Sequence, residues 1–380
     1  KTYRPASSVR GGSVARHSDF GTSAYRSQLA LDKGQCITGV RVARSVTMEN
    51  QEELDPCFPQ FEELPHVATI VSNDKQARIH EQSPSHYIDE SLTRQYDLAE
   101  MMELPVECKN ELDMRFRFIP PNSFIMGTPA YEETHAPTEQ PGHEVIIRQP
   151  YYMSVCEVTR KEWKSVMGYQ HSTYQGSSTF NDEYPTHENG WYDAIDFCNR
   201  LSRRDGLAPY YDLEVHDRSY SGTYIEQADV KILGGSGYRL PTEPEWEYAC
   251  RGGIQAIDLI DVNEIDINEV AWHDGNNEGE KWYPVGKKLE NPFLLHDMLG
   301  NVSEWCQNGF EEPGAYDFDQ YPEDDPTRLG TGNFHAIRGA HANSPSSVCR
   351  PAMRGMEQAD LKRLGIGFRI AFTPPNAQDD

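Results

Sequence analysis

The sequence predicts a loop-rich α+β fold, on three observations. Among 380 residues, 25 prolines, 29 glycines and 20 tyrosines suit irregular chain between short elements better than a helical bundle. Thr159 with Glu162, and Thr242 with Glu245, make two Thr-x-x-Glu capping boxes, each opening a short helix. Segments 118–121 and 123–127 read as strand, turn, strand.

From the N-terminus, the first feature is an internal repeat. Residues 10–43 match residues 338–371 without a gap, at a constant offset of 328. Nine of the 34 positions are identical, among them three arginines, Arg10, Arg26 and Arg41 against Arg338, Arg354 and Arg369. Residues 1–46 are therefore read as the C-terminal remnant of a preceding repeat. The chain starts at Lys1 with the front of the first copy missing, which suggests a processed or excised product. The missing front is expected either to have been cleaved away or to persist as a separate chain. One strand and a loop cannot bury enough apolar surface to fold alone, so the remnant should be complemented by a partner or docked on the second domain.

Charge then reverses. Residues 1–46 carry eight basic and two acidic side chains, whereas residues 47–113 carry four basic and sixteen acidic ones. With Pro56, Pro59, Pro65 and Pro84, the stretch 47–113 reads as an acidic extended connector, holding a short helix near 90–103. The main domain is assigned to residues 114–375. Its first helix runs from Thr159 through Val166 to a stop at Gly168. In the next, Trp191, Ala194, Phe197, Cys198 and Leu201 line one apolar face before Gly206. The helix opened at Thr242 stops at Gly252-Gly253.

The formal net charge of -25 argues against polynucleotide binding, which needs a basic footprint. No apolar run approaches the ~18 residues of a transmembrane helix. Eight scattered cysteines without a CxxC pair indicate no structural zinc site, and they leave disulfide connectivity open.

The run Gly237-Tyr238-Arg239-Leu240-Pro241-Thr242-Glu243-Pro244-Glu245-Trp246-Glu247-Tyr248-Ala249-Cys250-Arg251-Gly252-Gly253 resembles the central signature of the formylglycine-generating enzyme (sulfatase-modifying factor) family. Other family-like segments flank it in order: Met126-Gly127, Cys156-Glu157-Val158-Thr159, Pro284-Val285-Gly286, Asp297-Met298-x-Gly300-Asn301-Val302-x-Glu304-Trp305 and Gly367-Phe368-Arg369. The resemblance covers about 115–373. It implies a variant C-type-lectin-like fold, with a small twisted antiparallel sheet and two main helices.

By the same resemblance, cysteine-oxidising members grip Cu(I) between two thiolates five residues apart. Ungapped placement gives Ser344 and Cys349, so one thiolate is absent and Cys349 is the sole catalytic candidate left. The iron-dependent sulfoxide synthases of the family use a His-x-x-x-His-x-Glu pattern, which is lacking; His80 and His86 read as surface histidines. Neither Cu nor Fe is expected. A Ca²⁺ site is implied at the side chains of Asp297 and Glu304 and the main-chain oxygens of Gly300 and Val302, hard ligands that suit this ion. Arg239 and the recurring Arg338, Arg354 and Arg369 read as framework residues, in buried ion pairs or bonds to carbonyls and not in substrate contact. Ligand-binding candidates lie on irregular loops: His341, Asn343, Ser344, Trp272, Trp282 and Tyr283.

These observations favour a non-catalytic binding or structural subunit of a larger assembly, with other protein subunits as partners. Two alternatives stay open: a Cu- or Fe-dependent oxidase acting on thiols, and a lectin-like recognition protein with variable loops. The expected compartment is the periplasm or cell surface.

Overall fold

The structure is a computed structural model that describes residues 7–10, 26–29, 69–70, 86–128, 139, 142–170, 182–253, 266–279, 281–310, 329 and 332–375, with backbone alone at 7–10, 26–29, 69–70 and 86–90. Two strands near the N-terminus, β1 (Ser7–Arg10) and β2 (Arg26–Leu29), form an antiparallel pair with Arg10 opposite Arg26. Next come β3 (Thr69–Ile70) and helix α1 (His86–Met101).

Sequence places α1 in the connector, whereas the fold builds it into the domain. Leu92, Tyr96 and Ala99, at i, i+4 and i+7, are buried beside Leu98 and Gln95, while Glu100 stays in solvent. Gln95 donates to the carbonyl of Phe118 (2.7 Å) and accepts from Arg117 (2.9 Å). Arg94 donates to the carbonyl of Pro121 (2.8 Å), and the Ser91 hydroxyl to that of Gly252. Strand β4 (Glu107–Lys109) likewise joins the main sheet, pairing with both β3 and β5 (Arg115–Ile119). Within the acidic stretch, the described side chains from residue 91 onward thus supply core positions, among them Leu92, Tyr96, Leu98, Leu104 and Val106.

β5 and β6 (Asn122–Met126) read in sequence as adjacent strands, and they sit in different sheets. β6 pairs with β7 (His143–Ile147), whereas β5 lies between β4 and β8 (Tyr151–Ser154) in an antiparallel sheet of order β15-β8-β5-β4-β3, closed by β15 (Ala371–Phe372). Helix α2 (Arg160–Met167) starts at a complete capping box of Thr159 and Glu162, and it ends at Gly168 with φ 81°. Helix α3 (Trp191–Arg204) buries Trp191, Ala194, Phe197, Cys198 and Leu201 as its spacing requires. Phe197 stacks on Trp163 of α2 at 5.8 Å between centroids.

A two-stranded hairpin, β9 (Tyr211–Arg218) and β10 (Ile225–Ile232), leads into α4 (Glu243–Cys250), whose eight residues are all buried. After the short α5 (Ile267–Val270) come β11 (Ser303–Phe310), β12 (Phe334–Arg338), β13 (Arg354–Gln358) and β14 (Ile366–Gly367). These last four form a sheet of order β13-β12-β11-β14, in which β11 and β14 are parallel. Helices and several small sheets make the α+β architecture expected, with one parallel pair that sequence did not suggest. No described helix is long and apolar enough to cross a membrane.

Candidate functional site

An arginine–glutamate frame holds the centre of the domain. Arg239 makes a two-pronged pair with Glu245, at 2.7 Å for each contact, while Glu245 also accepts from the N–H of Thr242 to complete its capping box. Arg354 makes another with Glu243, at 2.7 and 2.6 Å. Arg338 donates to Glu247 and to the carbonyls of Ala352 and Met353. Arg251 donates to Glu247 (2.9 Å) and to the carbonyl of Gly127 (3.0 Å). The helix of the TEPEWE motif therefore carries acidic side chains inward, each answered by a fixed guanidinium fork. These arginines hold the frame together, and two of them, Arg338 and Arg354, are among those that recur in sequence.

Beside the frame lies a cluster with more negative than positive charge. Arg369 is fully buried and makes a two-pronged pair with Glu304, both contacts at 2.7 Å. Glu157 and Asp297 are buried with them. Glu157 accepts from the N–H of Val302 (3.1 Å) and the amide of Asn301 (3.0 Å). Burial, and then the charges of Asp297 and Glu304, push its pKa well above the usual carboxylate range although Arg369 opposes them. Burial also raises Asp297, against the pull of the Gly286 N–H.

Asp297 stands in left-handed backbone at φ 58° and Asn301 at φ 70°, a conformation these short polar residues tolerate better than most. The tight loop between them aims both at the cluster. One Asp297 oxygen accepts from Gly286 N–H (2.6 Å), and the other is buried with no hydrogen-bond partner among the described residues. Such an oxygen suits a hard cation. Glu304 is less available, because Arg369 holds both its oxygens and Trp246 donates to one of them. Among the described residues no three His, Cys, Asp or Glu side chains converge to hold a metal by themselves. Sequence reasoning gave Glu157 no role beyond its place in the family-like segment Cys156-Glu157-Val158-Thr159.

The six loop candidates come together. Asp274 N–H donates to the Ser344 carbonyl (2.9 Å), and the Asn277 amide to the carbonyl of Ala342 (2.9 Å), tying the 272–283 loop to the 341–344 loop. Their aromatic faces are largely spent internally. Trp272 stacks on Tyr283 at 3.6 Å, with the Lys288 ammonium 3.9 Å from the Trp272 ring centroid. Trp282 stacks on His187 at 3.9 Å. Of the six, Asn343 is exposed and the other five, His341 among them, are half-buried. Asn301 bridges the patch to the cluster, since it also accepts from the N–H of Tyr283 (3.0 Å).

The two positions that would grip copper do not fit that ion. Ser344 is part of a turn, its N–H donating to the His341 carbonyl (2.8 Å) and its hydroxyl accepting from His341 N–H (3.3 Å). Cys349 is buried, and burial followed by the nearby Asp274 charge raises its pKa to about 12, so it stays a thiol. Cys36 and Cys57 lie outside the described residues; the six described cysteines are all free.

Comparison with known proteins completes the picture. Residues 103–374 match the family described as the sulfatase-modifying factor enzyme 1-like domain. The chaperone protein LppX of Paenibacillus barcinonensis is 34% identical over 189 residues, 44% of this chain and 65% of that protein. The formylglycine-generating enzyme of Streptomyces coelicolor is 31% identical over 161 residues, 36% of this chain and 47% of that enzyme. The chain thus spans less than two thirds of either relative. Treponema denticola variable protein 1 superposes with a TM-score of 0.54 at 25% identity, covering 69% of this chain and 95% of that one.

Proposed function

This chain belongs to the sulfatase-modifying factor enzyme 1-like domain family, and within that family we propose that it serves as a non-catalytic binding or structural subunit. One observation carries the reading: where cysteine-oxidising members would place two thiolates, a hydrogen-bonded serine turn stands beside a buried, protonated thiol, Ser344 and Cys349. A hydroxyl and a neutral thiol are poor Cu(I) ligands.

In this reading the buried carboxylates hold Ca²⁺ as a structural ion. Asp297 offers its free oxygen, the main-chain oxygens of Gly300 and Val302 complete the turn, and Glu304 is shared with Arg369. Such an ion would neutralise the excess negative charge of Glu157 and Asp297. It would also stiffen the loop face, because Asp297 holds Gly286, and Asn301 holds Tyr283. The loops then present Asn343 and His341 to a partner, for which another protein subunit is the favoured class. Similarity to a protein named a chaperone supports a protein partner, and an extracytoplasmic setting suits a weak calcium module.

Elemental analysis of the purified native protein tests this. Near-stoichiometric calcium with neither copper nor iron is the expected result. Stoichiometric copper or iron overturns it in favour of metal-dependent thiol oxidation.

A further inference from the structure

The two hairpins share a register as well as the spacing of their arginines. β1 and β2 place Ser7 opposite Leu29 and Arg10 opposite Arg26, while β12 and β13 place His335 opposite Glu357 and Arg338 opposite Arg354. Every one of these positions is related to its counterpart by the same 328 residues that relate the sequences. A slip of one residue would turn each side chain to the other face, so the shared register is an observation separate from the repeat.

In the C-terminal copy that register has one purpose: it offers Arg338 and Arg354 side by side to α4. Glu243 receives Arg354, Glu247 receives Arg338, and the Arg338 guanidinium lies 5.4 Å from the Trp246 ring centroid between those two glutamates. Gly339, at φ 70°, lets the chain pass close to the indole; a Cβ there would come within 3.3 Å of it. The N-terminal copy keeps all three requirements, as Arg10, Gly11 and Arg26. The seat it fits is therefore a helix with Glu at one position, Trp three residues on and Glu four residues on.

This domain's own seat is taken, since Glu243 and Glu247 are engaged by Arg354 and Arg338. Glu49 and Glu53 of the acidic stretch have the right spacing, yet 47–113 contains no tryptophan. We propose that the β1–β2 hairpin is the closing hairpin of a second domain of this same fold, and that its partner is a Glu-x-x-Trp-Glu helix belonging to a polypeptide region outside residues 86–375. The inference rests on repeat and register, and it holds whether or not the main domain is catalytic.

Carbodiimide cross-linking tests it, because the reagent joins lysine amines to carboxylates at zero length. An R10K/R26K chain replaces the natural one in its own host, and the intact complex is isolated, treated and mapped by mass spectrometry. An R354K chain, whose cross-link should fall on Glu243, calibrates the yield. Cross-links from positions 10 and 26 to two glutamates flanking a tryptophan, in a peptide other than 243–247, are expected. Cross-links to Glu49 or Glu53, to Glu243 or Glu247 of a second copy, or none at the calibrated yield, overturn the proposal. Amides of 7–10 and 26–29 in the unsubstituted complex should also exchange at least about tenfold more slowly than unstructured chain; exchange at the unstructured rate is equally fatal.

Discussion

Replacing Arg369 with methionine probes the carboxylate cluster most directly. The guanidinium is fully buried, holds Glu304 through two contacts of 2.7 Å, and donates to the carbonyls of Ser154 (3.1 Å) and His296 (2.9 Å). Its loss strands a buried carboxylate beside two others, a change that costs about 3–5 kcal/mol. For a domain of this size each kcal/mol moves the midpoint by about 2–4 °C, so Tm should fall by roughly 6–20 °C. The double variant R369M/E304M removes both charges and should lose clearly less than the two single losses combined, with a coupling of about 2 kcal/mol or more. Urea unfolding followed by tryptophan fluorescence reads all four proteins, with calcium and with chelator. Calcium should rescue R369M more than the parent, since it supplies the positive charge removed. An R369M protein within about 1 kcal/mol of the parent, or strict additivity in the double variant, would refute the view that this arginine neutralises the cluster.

Three further outcomes are expected. His335 is buried against Trp191 at 3.6 Å, and burial lowers its pKa from 6.5 to about 3; the unfolded chain therefore takes up the proton first, and stability present above pH 6.5 drains away below it by up to about 1.4 kcal/mol per pH unit, a slope that H335Q should lack in pH-dependent urea melts. In the folded protein at pH 8, iodoacetamide should leave Cys108, Cys198, Cys306 and Cys349 unmodified, because burial raises each thiol; mass spectrometry after brief treatment checks this, and rapid labelling of Cys349 would revive it as a reactive group. A Cβ at Gly300 would sit 2.3 Å from the Trp272 carbonyl oxygen, so G300A should cost about 1–3 kcal/mol and weaken calcium binding measured by calorimetry.

The helices were legible because their signals are local. Thr159 and Thr242 announce their capping boxes, and the spacing of Trp191 to Leu201 announces its buried face. Strand partnership was not, because it depends on what arrives from far away: β6 finds β7 across the intervening loop, and β11 finds β14 in parallel from sixty residues downstream. Helix α1 was legible as a short helix near 90–103, but its docking on the domain was not, because the burial of Gln95 shows only once Arg117 and Phe118 stand beside it. The site was legible in half. Asp297 and the loop candidates do gather, but the commitment of Glu304 to Arg369 and the presence of Glu157 are tertiary facts that no spacing encodes.

Helix α4 has a bearing on how the domain is made. All eight of its residues are buried, and although Glu245 pairs with Arg239 just before the helix and Glu247 with Arg251 just after it, Glu243 awaits Arg354 and Glu247 its second guanidinium, Arg338, from much later in the chain. The last residues matter as much: β14 joins one sheet, β15 joins the other, and Arg369 lies between them. During synthesis the acidic helix must emerge, and wait, before the last of its counter-charges exist. The domain therefore closes only after its final segment has left the ribosome, and a nascent chain stalled short of Ile366 would display an unneutralised, unpacked centre to whatever quality control surrounds it.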